Sequence, residues 1–277
     1  DRVYMHGSPY EANWGRPESW KIADSHNWGT WYGQKPFESF DTEIPRFMSE
    51  YGFQAFPEMK TIATFAAPED YALESEVMNA HQKASIGNFL IKKTMGLYYK
   101  VPEDFEQLVY LGLVLQGQGM RHGMEAHRRK RPYGMGTLYW QLNDSWPVVS
   151  WSGIDYYGNW KAMHYQAKRA FAPVLVDAIK EGDDLNIYVM SDKLEADKDV
   201  TLQLRLMDFD GKVLKKKEIK GEVPANASTL YHKEKYEGMT PNPRNTFLLM
   251  TLKNKKGEVL SEETFYFNFA KDQDLPK

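Results

Sequence analysis

A chain of 277 residues that is 42% hydrophobic and 14% aromatic can bury a sizeable core, and we expect it to form two domains. The net charge of −3 gives no general attraction to nucleic acid or to an anionic membrane, and no apolar run approaches the roughly 18 residues of a transmembrane helix. Cysteine is absent, which excludes disulfides, thiol catalysis and cysteine-based metal sites. The start at Asp1, without Met or a signal peptide, fits an excised piece or a processed chain.

Three short apolar runs, over residues 2–6, 44–49 and 136–142, predict β-strands. The middle run ends at Glu50 and is followed by a glycine at position 52. A buried barrel strand presents an acid in this way at its C-terminal rim, where the active sites of barrels lie. On the residues alone, however, a single glutamate at a strand end is more often a salt-bridged rim residue.

Two longer patterns predict helices. Residues 104–130 carry apolar side chains and glycines at spacings of three and four, which is typical of one helix with a closely packed face. Asn159 is expected to cap a last helix, and Pro173 to end it. The inward face of that helix is predicted to consist of Trp160, Met163, His164, Ala167, Ala170 and Phe171. Strands that alternate with helices indicate an α/β domain.

From about Val174 the apolar pattern changes to alternation, which indicates strands. The alternating positions are Leu185, Ile187 and Val189; Leu202, Leu204 and Leu206; and Phe265, Phe267 and Phe269. Hairpin turns are predicted at Asp210-Gly211 and Lys256-Gly257. About seven strands in roughly 100 residues predict a small antiparallel sandwich of the immunoglobulin type.

The segment HNWGTWYG at residues 26–33 places three large aromatic side chains within five positions, bounded by glycines. Sugar sites need such surfaces, because pyranose C–H groups pack on aromatic faces while the hydroxyls bind polar groups. The alternative is that these side chains only wedge the loop onto the domain. We expect that structural role of Trp31 at least.

Three sequence motifs indicate a protein family. They are SEYGFQ at 49–54, YWQLNDSWP at 139–147 and HYQAKRAFAP at 164–173. Together they resemble the C-terminal part of the β-mannosidases of glycoside hydrolase family 2. The resemblance covers residues 1–175 strongly and the alternating region weakly. It implies that Glu50 is the catalytic nucleophile.

The same resemblance assigns roles to the aromatic side chains. It implies that Trp28 and Tyr32 line the sugar pocket and that Trp140 forms its floor. Trp146 and Trp151 are expected to pack the loop behind the pocket.

A complete (β/α)8 barrel takes about 250 residues and at least 200, whereas only about 172 precede the expected sandwich. The predicted fold class is therefore α/β plus all-β. Residues 1–173 would hold the last three strands of a TIM barrel with their helices, and residues 174–277 an immunoglobulin-like sandwich. In the family, the acid/base glutamate follows an asparagine on an earlier strand. No Asn-Glu pair occurs in this sequence, so we expect that residue to be missing.

The resemblance implies a parent enzyme that removes terminal β-linked mannose with retention, through a glycosyl-enzyme ester. It implies no cofactor. The expected partners are a β-mannoside oligosaccharide or glycan and the missing N-terminal part of the parent enzyme. Without that part, the chain alone is expected to be inactive. The compartment stays open: periplasmic, secreted, lysosomal-type and cytoplasmic locations are all compatible with the sequence.

Two sets of alternatives stay open. Within the same family, the parent enzyme is alternatively a β-glucuronidase, a β-galactosidase or an exo-glucosaminidase. Outside catalysis, a carbohydrate-binding or interaction module fits the short length and the missing acid. A strand-end Glu50 has no obvious purpose in such a binding surface.

Other carboxylates are weak candidates for the missing acid. Asp144 is most simply a turn residue that binds its own backbone, and Asp155 and Glu43 have still less to recommend them. No metal site is expected, because His122 and His127 are five residues apart and diverge on a helix. Both are expected on the helix surface.

Two further patterns have structural interpretations. The basic run at 127–131 lies at the end of the long predicted helix, where cations complement the helix dipole, so a nucleic-acid patch is not expected. The glycine-rich run at 116–119 lies inside the same helix, which excludes a phosphate-binding loop.

Overall fold

The structure is a computed structural model that describes residues 4–10, 14, 16 and 20–276. It divides into two compact units, Asp1–Ala170 and Phe171–Lys277. The sequence-based boundary between residues 173 and 174 lies slightly later and stays a proposal. Among the described residues, no helix has the length and apolar character that a membrane span requires.

The first unit contains three parallel extended segments. Strands β1 (Ser25–His26) and β2 (Met48–Glu50) pair in parallel, with His26 opposite Glu50. A third segment runs parallel to β2 on its other side, through a bridge between Met48 and Thr137. Backbone hydrogen bonds of 2.9 and 2.8 Å flank this bridge. The three segments therefore end at the same edge.

The strand predicted over residues 2–6 is wrong where the structure describes it. Residues 4–6 lie in no strand, while Arg2 and Val3 lie outside the described residues. Tyr4 and Met5 are exposed, so this apolar run is not buried against a neighbouring strand. The strand beside β2 is β1, and both of its residues are buried although they are polar. Hydrophobicity therefore gave no signal for β1.

Five α-helices are described in the first unit: α1 (Met59–Ile62), α2 (Glu76–Ala80), α3 (Gly87–Tyr98), α4 (Phe105–Arg129) and α5 (Ala162–Ala170). Short 3-10 helices lie at Phe37–Asp41 and Pro68–Asp70. The predicted long helix is confirmed as α4. It begins after Asp104, whose side chain accepts a hydrogen bond of 2.9 Å from the Gln107 N–H.

Glycines on α4 let the helix approach the 3-10 helix at Phe37–Asp41. A Cβ at Gly119 would overlap the ring of Phe37. One turn later, a Cβ at Gly123 would lie 3.0 Å from ring atoms of Phe40 and Tyr51. The residue after Glu50 is therefore packed directly against α4.

The observed helix α5 differs in part from the prediction, both at its start and in the residues that it buries. It begins at Ala162, and Asn159 does not cap it; the Asn159 side chain instead donates to Asp155 at 2.9 Å. Met163, Ala167 and Ala170 are buried as predicted. Trp160 and Phe171 are 38% and 40% exposed, because both lie outside the helix, beyond its two ends.

Over residues 171–276, the second unit forms seven antiparallel strands in two sheets. The strands are β3 (Val174–Glu181), β4 (Asp184–Ser191), β5 (Asp197–Asp208), β6 (Val213–Val223), β7 (Ala227–Lys235), β8 (Thr246–Lys253) and β9 (Val259–Tyr266). One sheet has the order β3-β4-β7 and the other β6-β5-β8-β9. A further 3-10 helix, Ala270–Asp272, follows β9.

The alternating patterns correctly predict which residues of β4 and β5 form the core of the second unit. All six alternating positions of β4 and β5 are buried, as predicted: Leu185, Ile187, Val189, Leu202, Leu204 and Leu206. Gly211 and Gly257 occupy the two predicted turns with φ of 86° and 83°, a conformation that favours glycine. Phe267 is buried as predicted, although it lies just beyond the end of β9. Phe269 is 48% exposed, contrary to the predicted pattern, and directly precedes a 3-10 helix.

Candidate active site

Glu50 is the last residue of β2, at the edge where the three parallel segments end. Its side chain is 21% exposed, so the carboxylate is neither sealed in the core nor fully solvated. On one side, its strand pairs with His26 of β1. On the other side, the Trp140 N–H donates a hydrogen bond of 2.8 Å to the carbonyl of Tyr51. The backbone therefore brings the Glu50 and Trp140 positions close together.

Two ring nitrogens approach the same oxygen of Glu50. The Trp28 Nε1–H donates a hydrogen bond of 3.2 Å to Oε2. His26 Nδ1 lies 3.2 Å from that oxygen as well. An indole N–H can only donate, so Glu50 is the acceptor. The Trp28 indole thus holds one carboxylate oxygen, and the His26 ring lies beside that oxygen without forming a hydrogen bond to it.

The aromatic loop after β1 is anchored by a buried tryptophan. Trp31 is 1% exposed, and its ring lies 5.0 Å from that of Phe53 and 5.9 Å from that of Trp151. Trp31 is thus the residue that wedges the loop onto the unit. Trp28 is half-buried, with ring centroids 5.9 Å from Tyr32 and 5.8 Å from Trp151.

Tyr32 and Trp140 present open aromatic surface, being 54% and 42% exposed. Trp28 contacts the Tyr32 ring, and the backbone of Trp140 reaches the residue after Glu50. Trp151 is buried behind Trp28. Trp146 lies elsewhere, 5.2 Å from the ring of His81.

A polar brace fixes the start of the loop. The Asn27 side chain donates to Glu43 at 3.0 Å and accepts from the Gly29 N–H at 2.9 Å. The Lys35 ammonium also pairs with Glu43. Glu43 is thus engaged in holding the loop and is not an available acid.

Asp144 is buried and organises the segment after Trp140. Its carboxylate pairs with Lys83 at 2.9 Å and accepts hydrogen bonds from Ser150 at 2.7 Å and Ser152 at 2.5 Å. The interpretation of Asp144 as a turn residue that binds its own backbone is therefore wrong. The residue ties distant side chains together, and its oxygens are turned toward these donors.

Asp155 has the role that the sequence suggested for Asp144. It accepts hydrogen bonds from the backbone N–H groups of Tyr157 and Asn159 and from the Thr61 hydroxyl. Burial alone would raise the pKa of Asp155, but the hydrogen bonds from Thr61 and Asn159 outweigh it and lower the pKa. A carboxyl group of low pKa is a poor general acid.

The histidines of α4 have structural partners. His127 is buried, contrary to the expected surface position; its Nδ1 lies 2.8 Å from the Thr137 hydroxyl, and burial lowers its pKa to about 3. His122 pairs with Asp41 at 3.0 Å. Burial alone would lower the pKa of His122, but the Asp41 carboxylate raises it. Within the described part of the chain, no group of three metal-ligating side chains occurs.

The basic run at the end of α4 is also largely buried. Arg128 donates to the carbonyl of Ala170, and Arg129 pairs with Asp41 at 2.5 Å. These arginines therefore join α4 to its neighbours as well as facing the negative end of the helix.

The sequence missed His26. Its position opposite Glu50 follows from β1, which the polar pair Ser25–His26 did not reveal. The two-residue spacing between His26 and Trp28 was the available signal, because alternate residues of an extended segment share a face.

Comparisons with known proteins agree with the motif resemblance. The family described as Mannosidase Ig/CBM-like domain matches residues 183–272. The beta-mannosidase of Capra hircus is 31% identical over 284 residues, which cover 95% of this chain and 31% of that protein. The beta-mannosidase B of Aspergillus flavus (strain ATCC 200026) is 35% identical over 199 residues, covering 67% of this chain and 22% of that protein.

A solved structure extends the agreement to the fold. The beta-D-mannosidase from Dictyoglomus thermophilum superposes with a TM-score of 0.89 at 32% identity, covering 96% of this chain and 33% of that one. The chain thus spans about a third or less of the length of the proteins it matches. The predicted fold class, part of a (β/α)8 barrel followed by an immunoglobulin-like sandwich, is confirmed. Over nearly all of its length, the chain resembles the C-terminal part of the β-mannosidases of glycoside hydrolase family 2.

Proposed function

We propose that this chain is part of a retaining, exo-acting β-mannosidase in which Glu50 is the nucleophile. The observation that carries the proposal is the placement of the Glu50 carboxylate. It lies at the end of the middle of three parallel segments, partly exposed, with one oxygen held by the Trp28 indole. In barrel enzymes, catalytic groups lie at the C-terminal ends of strands.

In the proposed reaction, Glu50 attacks the anomeric carbon of a terminal β-linked mannose. The bond from that carbon to the leaving oxygen breaks, and a glycosyl-enzyme ester forms. A retaining enzyme needs a second carboxyl group about 5 to 5.5 Å away, which protonates the leaving oxygen and then activates water. We assign that acid/base role to a glutamate outside this chain, since Glu43, Asp144 and Asp155 are all engaged with other partners.

The aromatic residues supply the sugar surface in this proposal. Trp28 and Tyr32 form one wall of the pocket, and Trp140 forms the floor; all three expose ring surface near the strand end that carries Glu50. The C–H face of a pyranose packs on such rings. The reaction as proposed uses no metal and no cofactor. A noncatalytic sugar-binding module is less well supported, since two ring nitrogens converge on a carboxylate oxygen that such a module would not need.

A trapping experiment tests the nucleophile. The longer parent protein would be incubated with 2,4-dinitrophenyl 2-deoxy-2-fluoro-β-mannoside, whose electronegative fluorine slows hydrolysis of the glycosyl ester. Peptide mass spectrometry should then locate the fluorosugar on Glu50. A Glu50→Gln variant should carry no label and should lose activity, although its volume is nearly unchanged. A label on any other carboxylate would refute the assignment.

A further inference from the structure

The buried carboxylate of Asp144 is the centre of a hydrogen-bonded network. Its Oδ2 accepts hydrogen bonds from the Ser150 hydroxyl at 2.7 Å and from the Ser152 hydroxyl at 2.5 Å. Its Oδ1 accepts from the Lys83 ammonium at 2.9 Å and from the Gln141 side-chain amide at 3.3 Å. Lys83 also pairs the buried charge, which an isolated carboxylate could not carry without a large cost. Four donors from two separate parts of the chain are thus held at one carboxylate.

The two serines flank Trp151 and fix the backbone on both sides of it. The Trp151 carbonyl also accepts a hydrogen bond of 3.2 Å from the Gln141 N–H. The Trp151 ring is buried, and among the described residues its indole N–H has no hydrogen-bond partner. Packing and the flanking backbone therefore hold the ring in place. Because a buried acceptor that loses its donors is costly, the serine hydroxyls resist any movement of this segment.

The Trp151 ring supports the ring of Trp28. Their centroids lie 5.8 Å apart at an interplanar angle of 71°, which is an edge-to-face contact. Such contacts between aromatic rings have a preferred geometry. Trp28 in turn donates its indole N–H to Glu50 Oε2 at 3.2 Å. A displacement of Trp151 would therefore move Trp28 and change its hydrogen bond to the carboxylate.

Gly52 shows how closely these groups are packed, two residues after Glu50. A Cβ at Gly52 would lie 2.4 Å from the carbonyl oxygen of Trp140. The same Cβ would lie 3.1 Å from the Trp151 ring and 3.2 Å from the Trp28 ring. The three tryptophans thus meet at the segment that follows the proposed nucleophile, without room for one methyl group. In such tight packing a shift of one ring is passed to its neighbours.

We propose that Asp144 is a positioning residue of the active site. Through the two serine hydroxyls it holds Trp151 against Trp28, and Trp28 then keeps its indole N–H directed at Glu50. Asp144 contacts neither the sugar nor the reacting atoms in this proposal, and acts through the two indole rings. The inference rests on the proposed nucleophilic role of Glu50 and adds the buried residue that determines the position of its hydrogen-bond donor.

The test variant removes the two hydroxyls and keeps the buried charge pair. The double substitution Ser150→Ala/Ser152→Ala deletes one oxygen atom from each residue and leaves Asp144 with Lys83. Ser152→Ala alone leaves one hydroxyl on Oδ2 and serves as a milder variant, with a smaller effect in the same direction.

The matched control is Thr61→Val, which removes a hydroxyl donor from another buried carboxylate. Thr61 donates to Asp155, and Asp155 binds the backbone of Tyr157 and Asn159 instead of flanking Trp151. Both variants lose hydrogen bonds to a buried aspartate, so urea unfolding should show some loss of stability in both. A loss of stability alone therefore cannot produce a difference between them in the measurements below.

The first measurement reads the indole N–H directly and needs no enzyme activity. The 277-residue chain contains eight tryptophans, so the Trp28 signal in ¹H–¹⁵N spectra of tryptophan-labelled protein can be assigned by comparison with Trp28→Phe. A hydrogen bond to a carboxylate moves an N–H proton signal downfield. We expect the double serine variant to move the Trp28 signal upfield and Thr61→Val to leave it in place. An unmoved Trp28 signal in the double serine variant would overturn the proposal.

The second measurement uses the longer parent protein with p-nitrophenyl β-mannoside. The double serine variant should lower kcat by roughly threefold to tenfold, a part of the loss expected when a hydrogen bond to a charged group is removed. Thr61→Val should leave kcat unchanged. Equal kcat values for these two variants would overturn the proposal.

A double-mutant cycle with Trp28→Phe separates positioning from general destabilisation. In Trp28→Phe the indole N–H is already absent, so the two serine substitutions should lower kcat no further. Additive losses would show that the serines act by another route, and would overturn the proposal. If the unmodified parent cleaves no mannoside, the proposed function fails instead, and the spectra still decide whether the network around Asp144 positions Trp28.

Discussion

The Trp28 indole donates a hydrogen bond of 3.2 Å to Glu50 Oε2, although 22 residues separate the two in sequence. The contact links the aromatic loop after β1 to the end of β2. Trp28 therefore has two roles in the proposed site, as a wall for the sugar and as a donor to the nucleophile. The loop must be rigid for both, which explains the buried Trp31 and the brace between Asn27 and Glu43.

Replacing Trp28 with Phe should separate these two roles. The ring surface stays while the N–H donor is lost, so we expect kcat to fall roughly tenfold or more and KM to change little. The measurement is steady-state kinetics of the longer parent protein on p-nitrophenyl β-mannoside. Trp146→Phe is the matched control, because Trp146 packs on His81 away from Glu50. Equal kcat values for the two variants would show that the indole N–H has no part in the reaction.

The 277-residue chain alone should hydrolyse natural β-mannosides far more slowly than the longer parent protein. Loss of one member of a cooperating catalytic set removes most of the rate, and the acid/base group is assigned outside this chain. Product release from mannobiose, with equal molar amounts of both proteins, measures the difference. Turnover by the chain at a rate near that of the parent would mean that one of its own carboxylates supplies the acid.

The sequence predicted those parts of the fold that hydrophobic spacing controls. Helix α4, the alternation in β4 and β5, and the turns at Gly211 and Gly257 all follow from local pattern. The prediction failed where contacts with distant segments determine the secondary structure. Strand β1 consists of Ser and His, and it is a strand because β2 pairs with it.

The candidate site also divides into residues that the sequence could identify and residues that only the structure reveals. Glu50 and Trp140 lie in motifs that carry the resemblance, so the sequence could name them. His26 and the buried network around Asp144 lie outside what spacing can show, because their partners come from distant segments. Lys83, for example, is 61 residues from Asp144 in the sequence and 2.9 Å from it in the structure.

Substituting Gly119 with Ala should destabilise the first unit by about 1–3 kcal/mol, because the new methyl group overlaps the buried Phe37 ring. Gly112→Ala is the matched control on the same helix. A Cβ there would lie 3.7 Å from Ile91, an ordinary contact, so this variant should gain roughly 0.5–1 kcal/mol from helix propensity. Urea unfolding followed by tryptophan fluorescence measures both changes, since all eight tryptophans precede residue 161. Equal stability of the two variants would contradict the close approach of α4.

Lys161 is a buried cation with unusual surroundings. It is 1% exposed, and its ammonium donates to the carbonyls of Ala55 at 2.9 Å and Ser150 at 3.2 Å. Burial lowers its pKa from 10.5 to about 7, against the opposing effect of Asp144. A neutral amine can still donate to both carbonyls, so the contacts survive deprotonation.

This depressed pKa gives a signed dependence of stability on pH. Between pH 7 and 10.5 the folded chain holds Lys161 neutral while the unfolded chain binds the proton. The unfolded state then binds more protons, so the free energy of unfolding should rise with pH in this window, by on the order of 1 kcal/mol per pH unit. Below pH 7 both states are protonated and the contribution is constant. Lys161→Met removes the titration, so urea unfolding of both proteins at pH 6, 7, 8 and 9 should give a difference that grows only above pH 7, in favour of lysine. A constant difference from pH 6 to 9 would show that the buried amine keeps its proton throughout.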